Sequence, residues 1–226
     1  SLLIQAGIYV VRPIITYKSV ELGADAALVG LIGATFALAP LVFAIQVGRF
    51  VDRGRAGLTM MLGSVILVLT TVALLFINSI PLLMLAMPSL GMGHLLIMIG
   101  GQTLIANRSS QSQYEKNFGL LTFYASVGHA VGPLVGGWLA DNGTVNVNAN
   151  AAFTFALVLF VVAVIGTIAL STRKENAKPS VDVQKSKLGA VIKTPTFKSA
   201  IFVASATIAV VDVVLIFLPL YGREIG

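Results

Sequence analysis

Seven apolar runs dominate the chain, and each is long enough to cross a lipid bilayer as a helix. A helical span requires roughly 20 apolar residues. Only 11% of the 226 residues are charged, whereas soluble domains carry about 25%, so no polar surface could cover these runs in water. The sequence therefore predicts an all-α integral membrane protein, because a transmembrane barrel would show shorter, alternating strands. The predicted spans are approximately 2–20, 27–50, 57–78, 81–106, 118–140, 151–171 and 197–221.

Basic residues are concentrated in the connections that follow the second, fourth and sixth spans. The connections after the first, third and fifth spans carry only Lys18. By the positive-inside rule, this asymmetry predicts a cytoplasmic N-terminus, in the plasma (inner) membrane. It also explains the net charge of +6 without a nucleic-acid partner. Twelve of the fifteen basic residues follow the second, fourth and sixth spans: Arg49, Arg53, Arg55, Arg108, Lys116, Arg173, Lys174, Lys178, Lys185, Lys187, Lys193 and Lys198.

A basic linker separates the first six spans from the seventh. We predict a six-helix bundle at 1–171, a cytoplasmic linker at 172–196, and a seventh membrane helix at 197–226 that begins a second bundle. The ends of the first and seventh spans both contain Pro, then Tyr, then Glu-x-Gly, and Gly23 and Gly226 are 203 residues apart (226 − 23 = 203). Two parallel six-helix halves are a repeat arrangement of larger transporters.

The first and seventh spans each contain a charged residue deep within the span, where charge is costly and usually functional. Gln5, Tyr9, Arg12 and Thr16 recur at helical spacing in the first span and so share one face. This predicts the polar wall of a cavity; alternatively, Arg12 extends to the outer interface. Asp212 lies midway along the seventh span, where it is expected either to couple protons to a conformational change or to pair with Arg12.

Each of the two histidines lies within a predicted span. His94 shares a face with Met98 and Gln102, and His129 is in the fifth span. Histidine titrates near neutral pH, so both are candidate proton carriers, with Gln102 as a further pathway residue. The alternative for each is an ordinary hydrogen-bonding side chain. No pattern is typical of a metal site, a nucleotide loop or a catalytic triad, so we expect neither a cofactor nor an enzyme.

The fifth span carries glycines spaced by four residues. Gly128, Gly132 and Gly136 share a face that lets a neighbouring helix backbone approach closely. Pro133 and Gly137 add a point at which the helix can bend. The expected packing partner is the first helix, or else the eighth or tenth helix of a longer chain.

Two motifs carry a resemblance to a known family. Gly128-x-x-x-Gly132-Pro133-x-x-Gly136-Gly137 resembles the antiporter motif of the major facilitator superfamily, and Gly48-x-x-x-Asp52-Arg53 resembles its loop signature. The resemblance implies a major-facilitator-type six-helix bundle with the start of a second bundle. It also implies a secondary active transporter that works by alternating access, with proton-coupled efflux of a small, hydrophobic compound.

The same resemblance assigns a role to the loop after the second span. Gly48, Asp52 and Arg53 would latch the two halves together on the cytoplasmic side; the alternative is an aspartate balanced by local arginines. The chain departs from the family pattern at two places. In the family signature one residue separates the arginine from the next glycine, whereas here Gly54 follows Arg53 directly. Many such exporters also have an arginine near the start of the fourth span; here that span has none, and His94 is its only ionisable group.

Two functions follow from these observations. The first is a transporter whose partners are a small-molecule substrate, protons, the lipid bilayer and the missing C-terminal helices of the same protein. The second is a seven-helix receptor or sensor, which the number of spans alone suggests. The gene sequence beyond Gly226 distinguishes them, since only the transporter requires five further spans.

Overall fold

The computed structural model describes residues 1–141, 147–171 and 195–225, and the regular structure in these ranges is helical. The all-α prediction is therefore confirmed. The predicted linker, 172–196, falls almost entirely outside the described residues. The helices are α1 (Leu2–Glu21), α2 (Ala26–Thr35), α3 (Leu38–Val51), α4 (Ala56–Phe76), α5 (Ile80–Arg108), α6 (Tyr114–Ala140), α7 (Ala149–Ser171) and α8 (Pro195–Ile225).

Within the described ranges, six helical segments are long and apolar enough to cross a membrane. One of them combines α2 and α3, and the others lie in α4, α5, α6, α7 and α8. The first of the seven predicted spans, α1, is not among them, because Gln5, Arg12 and Lys18 lower its mean hydropathy. The protein is thus an integral membrane protein with multiple helical spans, and its first helix has a lower mean hydropathy than the others that cross.

The chain divides into two compact units, residues 1–176 and residues 177–226. In the first unit, α1 is buried along 13 of its 20 residues. It packs mainly on α6 and α7, while α4 packs on α5 and α7. Gly7 allows the close approach of α1 to α7, since a Cβ at this position would overlap the ring of Phe160. The polar face of α1 is therefore turned towards protein. The second unit contains α8.

The second predicted span is interrupted between α2 and α3. Pro40 has no N–H to donate to the carbonyl of Phe36. The N–H groups of Phe36 and Ala37 donate instead to carbonyls three residues earlier, at 3.2 and 3.1 Å, which makes a tighter turn. Gly91 of α5 lies against this break, because a Cβ there would overlap the Phe36 carbonyl oxygen. The break is therefore held by α5.

Candidate functional site

Gln5 connects α1 to α5 through both ends of its carboxamide. Its Oε1 lies 3.0 Å from Nε2 of His94, and its Nε2 donates to Sδ of Met98 at 3.0 Å. A carboxamide oxygen only accepts hydrogen bonds, so His94 donates here from Nε2. The side chain of Gln5 is only 2% exposed, and the contact therefore fixes the position of His94 inside the first unit.

Tyr9 connects α1 to α6. Its ring stacks on the ring of His129, with centroids 4.0 Å apart and planes inclined by 23°. Tyr9 follows Gln5 by one helical turn, so both point from α1 towards neighbouring helices. The close approach depends on Gly132, where an added Cβ would lie 2.9 Å from Cβ of Tyr9.

Arg12 connects α1 to the break between α2 and α3. Its side chain is 8% exposed, and its guanidinium carbon lies 4.8 Å from the ring centroid of Phe36. The ring of Phe36 is in turn 6.0 Å from the ring of His94. The arrangement over Phe36 is a cation–π contact, which places the guanidinium within the protein.

Contacts link Gln5, His94, Phe36 and Arg12 in series, and Tyr9 of the same α1 face stacks on His129. We call these six side chains the polar cluster: Gln5, Tyr9, Arg12, Phe36, His94 and His129. Five of the six are predicted site residues, and α1 contributes three. The sequence analysis did not find Phe36. The feature of the sequence that could have indicated Phe36 is Pro40, four residues later. A proline there predicts a helix break, and a break leaves the preceding turn open to contact with a neighbouring helix.

The other two predicted pathway residues are Gln102 and Asp212. Gln102 follows Met98 by one turn of α5 and lines a crevice together with Gln5. Asp212 lies in α8 and is half-buried there. It belongs to the second unit, and its pairing with Arg12 stays a prediction.

The glycine face of α6 packs on α1. A Cβ added at Gly128 would lie 2.8 Å from the Ala6 nitrogen, and one at Gly132 would lie 2.7 Å from the Ala6 oxygen. At Gly136 the nearest atom would be Cα of Val10, at 3.2 Å. Of the three expected partners, the first helix is therefore the one that the structure shows.

The remaining members of the motif have different surroundings. A Cβ added at Gly137 would meet no atom within 4 Å, so close packing does not explain this glycine. Pro133 lies inside α6, which continues without a break from Tyr114 to Ala140. The motif thus combines three packing positions with two positions that packing on α1 does not require.

The loop residues of the predicted latch lie at the carboxyl end of α3. The N–H of Asp52 donates to the Gly48 carbonyl at 2.9 Å, and the side chains of Asp52 and Arg53 are exposed. Among the described residues, Asp52 forms no ion pair within 4.0 Å. Arg55 lies over the ring of Phe50, at 5.0 Å. Local arginines therefore do not balance Asp52 in this structure.

Comparison with known proteins gives a family and a set of relatives. The family model of the Major Facilitator Superfamily matches residues 1–226. The quinolone resistance protein NorA of Staphylococcus aureus, in strains COL and MRSA252, is 29% identical over 168 residues. The aligned part covers 74% of this chain and 42% of each relative, so the chain spans less than half the length of these relatives.

Proposed function

Because the chain belongs to the major facilitator superfamily, a family of transporters and not of enzymes, we propose that it is part of a secondary active transporter. The transported compound is small and hydrophobic, and its efflux is driven by proton entry. The similarity to NorA, a quinolone resistance protein, supports a small compound as the substrate. The family match also removes the basis for a seven-helix receptor.

The polar cluster is the observation that carries this proposal. Ionisable groups inside a span are costly, by about 2.5–3.5 kcal/mol on insertion scales. A bundle that served only as a scaffold would gain no stability from placing Arg12 and two histidines there. The cluster also joins α1 to α5, to α6 and to the break between α2 and α3. The polar face of α1 therefore contacts three different parts of the bundle.

Protonation of His94 supplies a physical basis for coupling. Arg12 and His94 both lie against the ring of Phe36. A second positive charge at His94 repels the guanidinium, because both groups contact the same aromatic ring. Proton binding at His94 therefore favours a different position of Arg12, and so of α1 relative to α5. Asp212, as a carboxylate in a span, is the proposed acidic member of the same pathway.

A proton-flux assay tests this proposal. The full-length protein is placed in proteoliposomes, a pH gradient is imposed, and proton movement is recorded as a panel of hydrophobic compounds is added. We expect proton entry that depends on the compound. In His94→Gln and in Asp212→Asn, which do not titrate near neutral pH, pH-driven transport should fall by about tenfold or more. A complete absence of compound-dependent proton flux in the unaltered protein would reject the proposal.

The latch residues Gly48, Asp52 and Arg53 are proposed to hold one conformational state on the cytoplasmic side. Asp52 is the C-cap of α3, where the negative end of the helix dipole disfavours a carboxylate. Its charge therefore does not serve the stability of α3. An exposed carboxylate without a local ion pair is instead available to a group in the other half of the transporter.

Asp52→Asn is expected to slow transport several-fold while the thermal unfolding temperature stays within about 2 °C of the original, since surface substitutions usually change stability by less than about 0.5 kcal/mol. Asp25→Asn is the matched control. Asp25 caps α2 by accepting from the N–H of Leu28 at 2.8 Å, and asparagine caps equally well. An equal loss of transport in both variants, or none in Asp52→Asn, would contradict the latch.

A further inference from the structure

A crevice of about 530 Å³ lies inside the first unit, on the side of Gln5 that faces Met98. It is lined by the first turn of α1, by Met60 of α4, by α5 from Ile97 to Gln102, and by one face each of α6 and α7. Its volume is within the range of small-molecule sites, about 300–1,000 Å³. The crevice lies among helices of a single unit, so it does not depend on how the two units are arranged.

The lining is mainly apolar, and its polar side chains are neutral: Ser1, Gln5, Gln102, Tyr124 and Thr167. No acidic or basic side chain among the described residues contributes to it. Met60 and Met98 enter it from different helices, and methionine adapts to ligands of irregular shape. The carboxamide of Gln5 is already held by His94 and Met98. Gln102, whose side chain makes no hydrogen bond within the described part of the chain, is therefore the amide left to meet a ligand.

Two glycines keep the crevice open. A Cβ added at Gly166 would meet no atom within 4 Å, and one at Gly101 would come no closer than 3.8 Å, to Cε of Met60. The neighbouring Gly100 differs, because its Cβ would lie 2.9 Å from the Ala56 oxygen. Packing of α4 on α5 thus requires Gly100 but does not require Gly101. A larger side chain would fit at Gly101 and Gly166 and would fill the space.

We infer that this crevice binds the apolar part of a neutral amphiphilic compound, with the polar end of the compound at Gln102. The inference rests on the proposed transport function, because it names the class of substrate. A free compound fits better than a membrane phospholipid, since no basic side chain of the described residues lines the crevice to bind a phosphate.

Binding of alkoxycoumarins with increasing chain length tests this inference. The full-length protein is placed in nanodiscs without a pH gradient, and saturable binding is measured by fluorescence, with empty nanodiscs as background. Affinity for the unaltered protein should rise with chain length until the crevice is full. Gly101→Leu and Gly166→Leu place an isobutyl group in the space. Each should weaken binding of the longest probe by about tenfold, the effect of about two methylene groups left unburied.

Two further variants keep this test specific. Gly119→Leu is the matched control, because Gly119 lies on the exposed face of α6, outside the crevice, and its added Cβ would meet no atom within 4 Å. It should bind every probe as the unaltered protein does. Met60→Ala enlarges the crevice, and it should move the maximum of affinity to a longer chain.

Three outcomes decide the inference. The same chain-length dependence in the filled variants and in the unaltered protein would overturn it, even where transport is observed. Co-purified phospholipid without saturable probe binding would also overturn it. Chain-length-dependent binding that is lost in the filled variants would support the crevice even if no compound were transported, and in that case only the transport proposal would fail.

Discussion

Replacing Gly132 by leucine is expected to separate α6 from α1 and to cause a large loss of stability. The added Cβ would lie 2.7 Å from the backbone oxygen of Ala6, and a backbone atom cannot rotate out of the way as a side chain can. Overpacking of this kind costs about 1–3 kcal/mol, sometimes more. The stack of Tyr9 on His129 should be lost as well, because it depends on the same approach.

Gly137→Leu is the matched control for this experiment. Gly137 lies in the same motif, but its added Cβ would meet no atom within 4 Å. Thermal unfolding and size-exclusion profiles are measured on the full-length protein. Gly132→Leu should unfold at a lower temperature than the unaltered protein, whereas Gly137→Leu should match it. Equal stability of the two variants would show that contact with α1 does not explain the glycine at position 132.

Replacing Arg12 by methionine is expected to reduce transport by about tenfold or more with a much smaller effect on stability. An arginine within a span is unfavourable by about 2.5–3.5 kcal/mol on insertion scales, whereas the cation–π contact with Phe36 that the substitution removes is worth about 0.5–2 kcal/mol. The unfolding temperature of Arg12→Met should therefore not fall in proportion to transport. Transport should still fall, because Phe36 and His94 lose the group whose position responds to protonation.

Two companion variants separate charge from geometry and from general effects on α1. Arg12→Lys keeps the charge but not the planar group that stacks on Phe36, so it should restore only part of the transport. Lys18→Gln removes a charge near the end of the same helix, where Lys18 lies 3.7 Å from exposed Glu21, a pair of little energetic value. A parallel fall of stability and transport in Arg12→Met would instead assign Arg12 a structural role.

The polar face of α1 was predictable, but its contacts were not. Helical spacing alone places Gln5, Tyr9 and Arg12 on one face. Their partners lie far away in the sequence, since Gln5 meets His94 across 89 residues. The helix that meets this face, and its register, depend on close packing at glycines such as Gly132 and on the tertiary arrangement. Periodicity within one helix contains neither kind of information.

Phe36 shows a different limit of sequence reasoning. An aromatic residue in an apolar run resembles a lipid-facing side chain, and nothing within the run separates the two cases. Pro40 indicates the break, but only the structure shows that the break packs against Gly91 of α5. Asp52 is a third case. Its motif was recognisable in the sequence. That Asp52 forms no local ion pair within the described ranges could be seen only once the neighbouring arginines were placed in three dimensions.

The polarity of α1 has a consequence for how the protein is made. α1 leaves the ribosome before the two helices that bury it, and α7 ends 150 residues after α1 ends (171 − 21 = 150). At about 5–20 residues per second, that interval lasts about 8–30 s. During this time the buried polar side chains of α1, Gln5 and Arg12 among them, have not yet met the helices that cover them. We therefore expect retention of α1 by the insertion machinery until α6 and α7 arrive to favour correct assembly.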